Sequence, residues 1–458
     1  RRRRGGGRPG GRHAGPGGIA HGSIRTATTG CTTGRTTGRT TRRNTIHTRA
    51  GSAVRSRVMK QRPGNPFPGL RPFRADEEPL FFGREAHVDR MVDALGATGF
   101  LAVVGSSGSG KSSLVTCGLV PALHRGLLAS RPGGWRVATC RPGNRPIRAL
   151  AQALAAALPP PAGAGTGFSA AGMVEATLRA SKRGLLDAWQ EAGIGGSGQP
   201  NLLIVADQFE ELFRYRGLAD AAAEAHAAEA VAFVNLLLEV AAQPADAARP
   251  LAVVLTMRSD FLGECAQFHG LPEAINRGQF LVPRMTRDER RAAVRGPLAV
   301  CGADIDPVLL NRLVNDVGDN PDQLSILQHA LNRTWARWQQ RGATGPVLAS
   351  DYDAIGTMEQ ALDRHADEAL ATLTAPGQAA LCEAVFRAIT DRGTDARGTR
   401  RPTRLDTLQA ITGAGVDALA AVMAPFRDPS RAFLMPPDGV PLEPGTPVDI
   451  SHESLIRV

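Results

Sequence analysis

Gly105-Ser106-Ser107-Gly108-Ser109-Gly110-Lys111-Ser112 fits the pattern G-x-x-x-x-G-K-[ST] in full. Such a loop binds polyphosphate. Its backbone N–H groups and the N-terminus of the helix that follows surround the anion, and the glycines let the backbone come close. Lys111 would neutralise the β- and γ-phosphates, and Ser112 would ligate magnesium. The motif needs a strand before it and a helix after it. Phe100-Leu101-Ala102-Val103-Val104 reads as the buried strand. Lys111-Ser112-Ser113-Leu114-Val115 reads as the helix start and brings Ser113 into the cradle.

A second group of residues supplies the acids. Leu202-Leu203-Ile204-Val205-Ala206 reads as a buried strand ending in Asp207, which would hold magnesium opposite Ser112, directly or through water. Glu210 and Glu211 follow at once. Either could polarise an attacking water, or the pair could simply favour the N-terminal dipole of a helix. Leu251–Met257 is the next apolar run and ends in Arg258. An arginine there could sense the γ-phosphate, or pair with Asp260 at the surface.

These residues need a scaffold. Strands alternating with helices predict a parallel sheet covered on both faces, with ligands beyond the carboxyl ends of its strands. Gly105, Asp207 and Arg258 all fall at such ends. Helices are expected over Ile147–Leu158, Met173–Ala192 and Ala221–Ala242, and a helix after the phosphate loop that Pro121 should kink or end. From Thr286 the strand signals fade. Asp288–Ala299, Pro307–Val317 and Gln323–Arg337 read as a helical unit, with further helices over Met358–Leu373, Gln378–Ile389 and Leu405–Ile411. Short strands at Ala432–Met435 and Val448–Ser451 suggest a winged helix. The expected division is a disordered basic tail over 1–62, a phosphate-loop domain over 63–285, a helical domain over 286–350 and a winged-helix-like domain over 351–458.

The net charge of +11 invites a nucleic-acid reading, but 16 of the 54 basic residues lie in residues 1–62, which hold no acid. The rest carries 38 basic and 43 acidic residues. The tail repeats Thr-Thr-Gly-Arg without apolar positions, so it has no face to bury. It reads either as a basic arm for nucleic acid or anionic membrane, or as translated upstream repeat with Met59 the natural initiator. We favour the second. The six cysteines form no C-x-x-C pair and suit free thiols in a reducing, cytoplasmic setting. No apolar run is long enough for a membrane span, and no secretory signal is visible.

The ordered set of motifs resembles the novel STAND NTPases, signal-transduction ATPases related to the NACHT and NB-ARC families. It runs from Asn65-Pro66-Phe67-Pro68-Gly69-Leu70-Arg71-Pro72-Phe73 and Phe82-Gly83-Arg84-Glu85 through the phosphate loop. It continues through Gly118–Leu123, Asp207–Phe213 and Arg258–Phe261 to Gly318-Asp319-Asn320-Pro321 and Leu324–Leu331. It closes at His452-Glu453-Ser454-Leu455-Ile456-Arg457. The resemblance implies a switch that is closed with ADP and open and self-associating with ATP, using magnesium and hydrolysing slowly. It implies Asp207 as the Walker B acid, Arg258 as the sensor arginine, Pro321 near the adenine and His452 facing the phosphates. Ser325 stands where such proteins usually show a second proline. The resemblance also implies effector and sensor regions, often a WD-repeat propeller, outside residues 65–458.

A DNA-associated ATPase of the replication-initiator kind is the alternative, since it too joins a phosphate loop to a winged helix. It needs a basic winged helix, whereas residues 377–458 carry about as many acidic as basic residues. A transporter ATPase would show L-S-G-G-Q, which is absent, and no acceptor site for a nucleotide kinase is identifiable.

Overall fold

The computed structural model describes residues 64–128, 134–159, 169–192, 200–214, 221–243, 251–318, 323–391 and 399–457. The basic tail and Pro321 lie outside the described residues.

Five parallel strands form the central sheet: β1 (Phe100–Gly105), β2 (Trp135–Cys140), β3 (Asn201–Ala206), β4 (Leu251–Arg258) and β5 (Gln279–Leu281). Their spatial order is β2-β3-β4-β1-β5. β1 and β3 are buried along their whole length, as their unbroken apolar runs require of strands covered on both faces. Alternate residues serve opposite faces. Ala102, Val104, Ile204 and Val253 pack beneath the helices Pro146–Ala157, Gly184–Glu191 and Ala221–Ala241. Leu101, Val103, Val205 and Val254 pack with helix Glu85–Thr98 and the helix after the phosphate loop.

That last helix does not end at Pro121. It runs as α over Lys111–Ser113, π over Leu114–Leu119 and α again over Val120–His124. The Val120 N–H reaches back to the Val115 carbonyl. Proline lacks an N–H and its ring crowds the carbonyl four residues back, so a widened turn before it lets the helix continue. The helix expected over Met173–Ala192 is two helices, Ala170–Ala180 and Gly184–Glu191, with an extended Ser181 between them. At Gly184 a Cβ would lie 2.4 Å from the Thr177 carbonyl, so the chain folds back tightly there.

Beyond the sheet, helices Arg287–Val300, Pro307–Asp316, Gln323–Gln340, Ala349–Ala354 and Thr357–Leu370 gather around Leu309, Leu327, Trp335 and Tyr352. Helices Gln378–Ile389, Leu405–Thr412 and Val416–Arg427 share a third core with Phe433, Val448 and Ile450. β6 (Thr390–Asp391) pairs with β7 (Thr399–Arg400). β8 (Thr403–Arg404), β9 (Leu434–Met435) and β10 (Pro447–Ile450) form an antiparallel sheet in the order β8-β10-β9. Among the described residues no single helix is long and apolar enough to cross a membrane.

Two features join these parts. The first is a strap over Gly64–Leu80. Asn65 Nδ2 donates to the Asn332 carbonyl at 3.0 Å, and Asn332 Nδ2 donates to the Phe67 carbonyl at 2.6 Å. Trp335 Nε1 donates to the Gly64 carbonyl at 2.8 Å. Phe67, Phe73 and Leu80 join the helical core, whereas Leu70 enters the third core. The strap also reaches the phosphate-loop helix: the Phe73 N–H donates to Ser113 Oγ at 3.1 Å, and Cys117 Sγ donates to the Arg74 carbonyl. The second is a buried histidine pair. His329 Nε2 and His365 Nδ1 lie 3.0 Å apart, and both rings pack on Phe433 of the third core.

Candidate functional site

The phosphate loop leaves β1 at Gly105 and enters the helix at Lys111. Gly108 and Gly110 take left-handed backbone, φ 67° and 84°, which only glycine adopts at no cost. A Cβ on Gly105 would lie 2.8 Å from Ser109 Oγ. The loop is therefore a close-wound cradle that side chains would fill. Ser109 Oγ donates to the Ser106 carbonyl at 2.9 Å. Lys111 Nζ donates to the Gly105 and Ser106 carbonyls at 3.0 and 2.7 Å, so the ammonium is held inside the loop. Burial pulls its pKa below the usual lysine range, opposed first by the negative charge of Glu210. Ser113 Oγ turns from the loop to the strap.

Strand order brings the other groups to the loop. β4 lies between β1 and β3, with Arg258 in register with Gly105. Asp207, just past β3, is almost wholly buried. Its Oδ1 accepts from Ser112 Oγ at 2.6 Å and from Thr256 Oγ1 at 2.7 Å. Its Oδ2 faces Arg141 Nε at 3.4 Å. Serine hydroxyl from the start of the helix after the loop and aspartate carboxylate from the end of β3 thus converge. This all-oxygen donor set suits a hard cation such as magnesium, so the residues present fit a magnesium polyphosphate.

The two glutamates part company. Glu210 is buried at 4 % exposure, and its Oε2 accepts from the Arg258 N–H at 3.3 Å, over the end of β4. Glu211 turns the other way, and its Oε2 accepts from the Gly143 N–H at 3.0 Å, beyond the end of β2. The Arg258 guanidinium pairs with Asp260 and lies over the Phe261 ring. That pairing holds the Asp260 carboxyl below its usual pKa. His452 Nδ1 accepts from the Ser454 N–H at 3.2 Å.

Three residues near the loop were assigned no role in the site from the sequence, although Arg84 stands in the motif Phe82–Glu85. Arg141 directly follows an apolar strand, as Asp207 and Arg258 do, and that position was its one legible cue. Thr256 is the hydroxyl inside the apolar run of β4. Arg84 is buried, with Nη1 donating to the Pro283 carbonyl at 2.8 Å and Nη2 to the Ser109 carbonyl at 3.3 Å. It ties the loop to the segment leading out of the sheet. From the helical side, Leu324 Cδ2 would lie 3.8 Å from a Cβ on Gly110.

A parallel sheet whose first strand runs through this glycine-rich loop into a helix, with an acid on a second strand facing the loop's serine, defines a P-loop NTPase. Within that class the chain belongs to the Novel STAND NTPase 1 family, whose sequence pattern matches residues 66–458. No curated protein matches it. Among solved structures it is similar to the Aeropyrum pernix ORC2 protein in its ADPNP–ADP complexes (11 % identity, 88 % of this chain and 97 % of that one, TM-score 0.42). It is similar to the Aeropyrum pernix ORC1 protein in complex with DNA (15 %, 82 % and 91 %, 0.40). It is also similar to domain III of the Thermotoga maritima replication initiation protein DnaA (14 %, 58 % and 89 %, 0.32). Likeness at this level says nothing about ligand or partner.

Proposed function

We propose that the chain is an ATP-dependent signalling switch that hydrolyses ATP slowly, closes over ADP and self-associates when ATP opens it. In this reading residues 63–285 hold the nucleotide, 286–350 form a helical domain and 351–458 a winged-helix-like unit. Gly105–Ser113 cradle the phosphates. Lys111 leaves the Gly105 and Ser106 carbonyls to meet the β- and γ-phosphates. Ser112 and Asp207 would hold magnesium, which supplies charge neutralisation between the phosphates when bound. Glu210 orients and deprotonates the attacking water. It is chosen over Glu211 because Glu210 lies at the end of β4, beside the loop, whereas Glu211 faces Gly143. Arg258 exchanges Asp260 for the γ-phosphate and so distinguishes ATP from ADP. Pro321 packs near the adenine, and His452 contacts the β-phosphate in the closed state.

The observation that carries this reading is the meeting of Ser112 and Asp207 at 2.6 Å beside Lys111 and Glu210. The test is thermal unfolding with and without Mg·ATP. A ligand at about 1,000 times its Kd stabilises the fold by about 4 kcal/mol. Wild type should show that shift and Lys111→Ala should lose it. An equal shift in both proteins rejects the site.

A further inference from the structure

Thr256 is fully buried in β4, at 1 % exposure. A buried hydroxyl must find partners, and this one has two, both in the turn after β3. Thr256 Oγ1 donates to Asp207 Oδ1 at 2.7 Å and accepts from the Gln208 N–H at 3.0 Å. The Thr256 carbonyl then accepts from the Phe209 N–H at 2.9 Å. One residue thus holds three consecutive residues of the turn. The turn needs holding: Gln208 has φ 57°, a left-handed backbone unfavourable for a residue with a Cβ. Two residues further along β4, the Arg258 N–H takes the Glu210 carboxylate at 3.3 Å. The acid beside Ser112 and the acid over β4 are therefore both registered on the last residues of one strand.

From this geometry we infer that Thr256 is the positioning residue of the nucleotide site, its hydroxyl setting the Asp207 carboxylate beside Ser112. The inference rests on the proposed reading of that site. The hydroxyl orders the carboxylate of Asp207 and the backbone of Gln208 together, so losing it frees Asp207, whereas Glu210 keeps the Arg258 N–H and Phe209 keeps the Thr256 carbonyl. Outer-shell hydrogen-bond partners of this kind are worth about 10–100-fold in metal affinity or activity.

Thr256→Val keeps the volume and removes the hydroxyl, whereas Thr256→Ser keeps the hydroxyl and removes the methyl. The decisive readout is the gain in affinity for a fluorescent ATP analogue on going from EDTA to magnesium. Single-turnover hydrolysis is the second readout. Thr256→Val should lose about tenfold or more of the magnesium-dependent gain while keeping its affinity in EDTA, and Thr256→Ser should match wild type in both readouts. Unfolding curves check that each variant is folded. If Thr256→Val does not fold, Thr256→Ser alone decides, since a folded serine variant that loses the magnesium gain overturns the inference. A valine variant that matches wild type overturns it too, because the hydroxyl is then dispensable. Lys111→Ala run alongside separates the two ideas. If it binds the analogue as wild type does, the site reading itself fails. If it loses binding while Thr256→Val behaves as wild type, only the role of Thr256 fails.

Discussion

Acid should loosen the seam between helix Gln323–Gln340 and the third core, through His329 and His365. Both rings are buried and hydrogen-bonded to each other at 3.0 Å, an arrangement that needs at least one bare nitrogen. Burial, and then the Arg333 guanidinium, pulls the His329 pKa down to about 3. Burial, Arg333, His329 and Arg431 together pull His365 down to about 2. The negative charge at the seam, Glu368, is engaged in an ion pair with Arg333. In the unfolded chain both histidines titrate near the ordinary value of about 6.5. Between these limits the unfolded state binds more protons than the folded one, so stability rises with pH. The contribution is complete above the unfolded pKa and is lost as pH falls below it. From about pH 7.5 to about pH 5 each histidine should remove about 2 kcal/mol, and the pair about 4 kcal/mol. The folded values lie so far below pH 5 that a one-unit change in either hardly alters this. The assay is urea unfolding followed by the fluorescence of Trp335 and Trp338, with Trp135 and Trp189 replaced by phenylalanine. Wild type is compared with the double variant His329→Leu and His365→Leu at both pH values. Carboxylates elsewhere titrate alike in both proteins, so the difference isolates the pair. If both lose the same stability on acidification, the histidines are not neutral in the folded state and the reasoning fails.

Three further outcomes are expected. Glu210→Gln should slow single-turnover ATP hydrolysis by about 10²–10⁴-fold, the usual worth of a general base, whereas Glu211→Gln should change it little; the reverse pattern would exchange their roles. Gly278→Ala should lower stability by about 1–3 kcal/mol as an overpacked site, because its Cβ would lie 2.1 Å from the Phe100 carbonyl oxygen at the start of β1; an unchanged melting temperature would contradict that packing. If His452 makes the proposed contact of the closed state, His452→Ala should speed release of a fluorescent ADP analogue and raise the self-associated population with ATP; an unchanged rate in a folded variant would leave His452 as local packing with Ser454.

The parts legible in the sequence were those written as local patterns. β1, β3 and β4 announce themselves as unbroken apolar runs, and their end residues Gly105, Asp207 and Arg258 follow directly. β5 is three residues long with its middle one alone buried, so it makes no run to read. The break at Ser181 hides inside an Ala/Leu-rich stretch whose helical period suits both halves, and its cause is the close approach of Gly184 to another turn. The choice between Glu210 and Glu211 could not be read from adjacent positions in a chain. It depends on which strand ends lie on either side of β3, a fact of sheet order. Thr256 and Arg141 acquire meaning in the same way: each is an ordinary residue until β4 and β2 are laid against β3.

The strap has a consequence for how the protein is made. Asn65 and Asn332 are 267 residues apart in the chain. At a synthesis rate of about 5–20 residues per second, the helix that receives Asn65 emerges about 13–53 s after it. Ser113, which receives Phe73, is only 40 residues away and emerges far sooner. The strap can therefore fasten first at Phe73 and Arg74, on the phosphate-loop helix, while Phe67 and Gly64 have nothing yet to grip. Docking then proceeds against the direction of synthesis, and the first residues of the strap to leave the ribosome are the last to find their places.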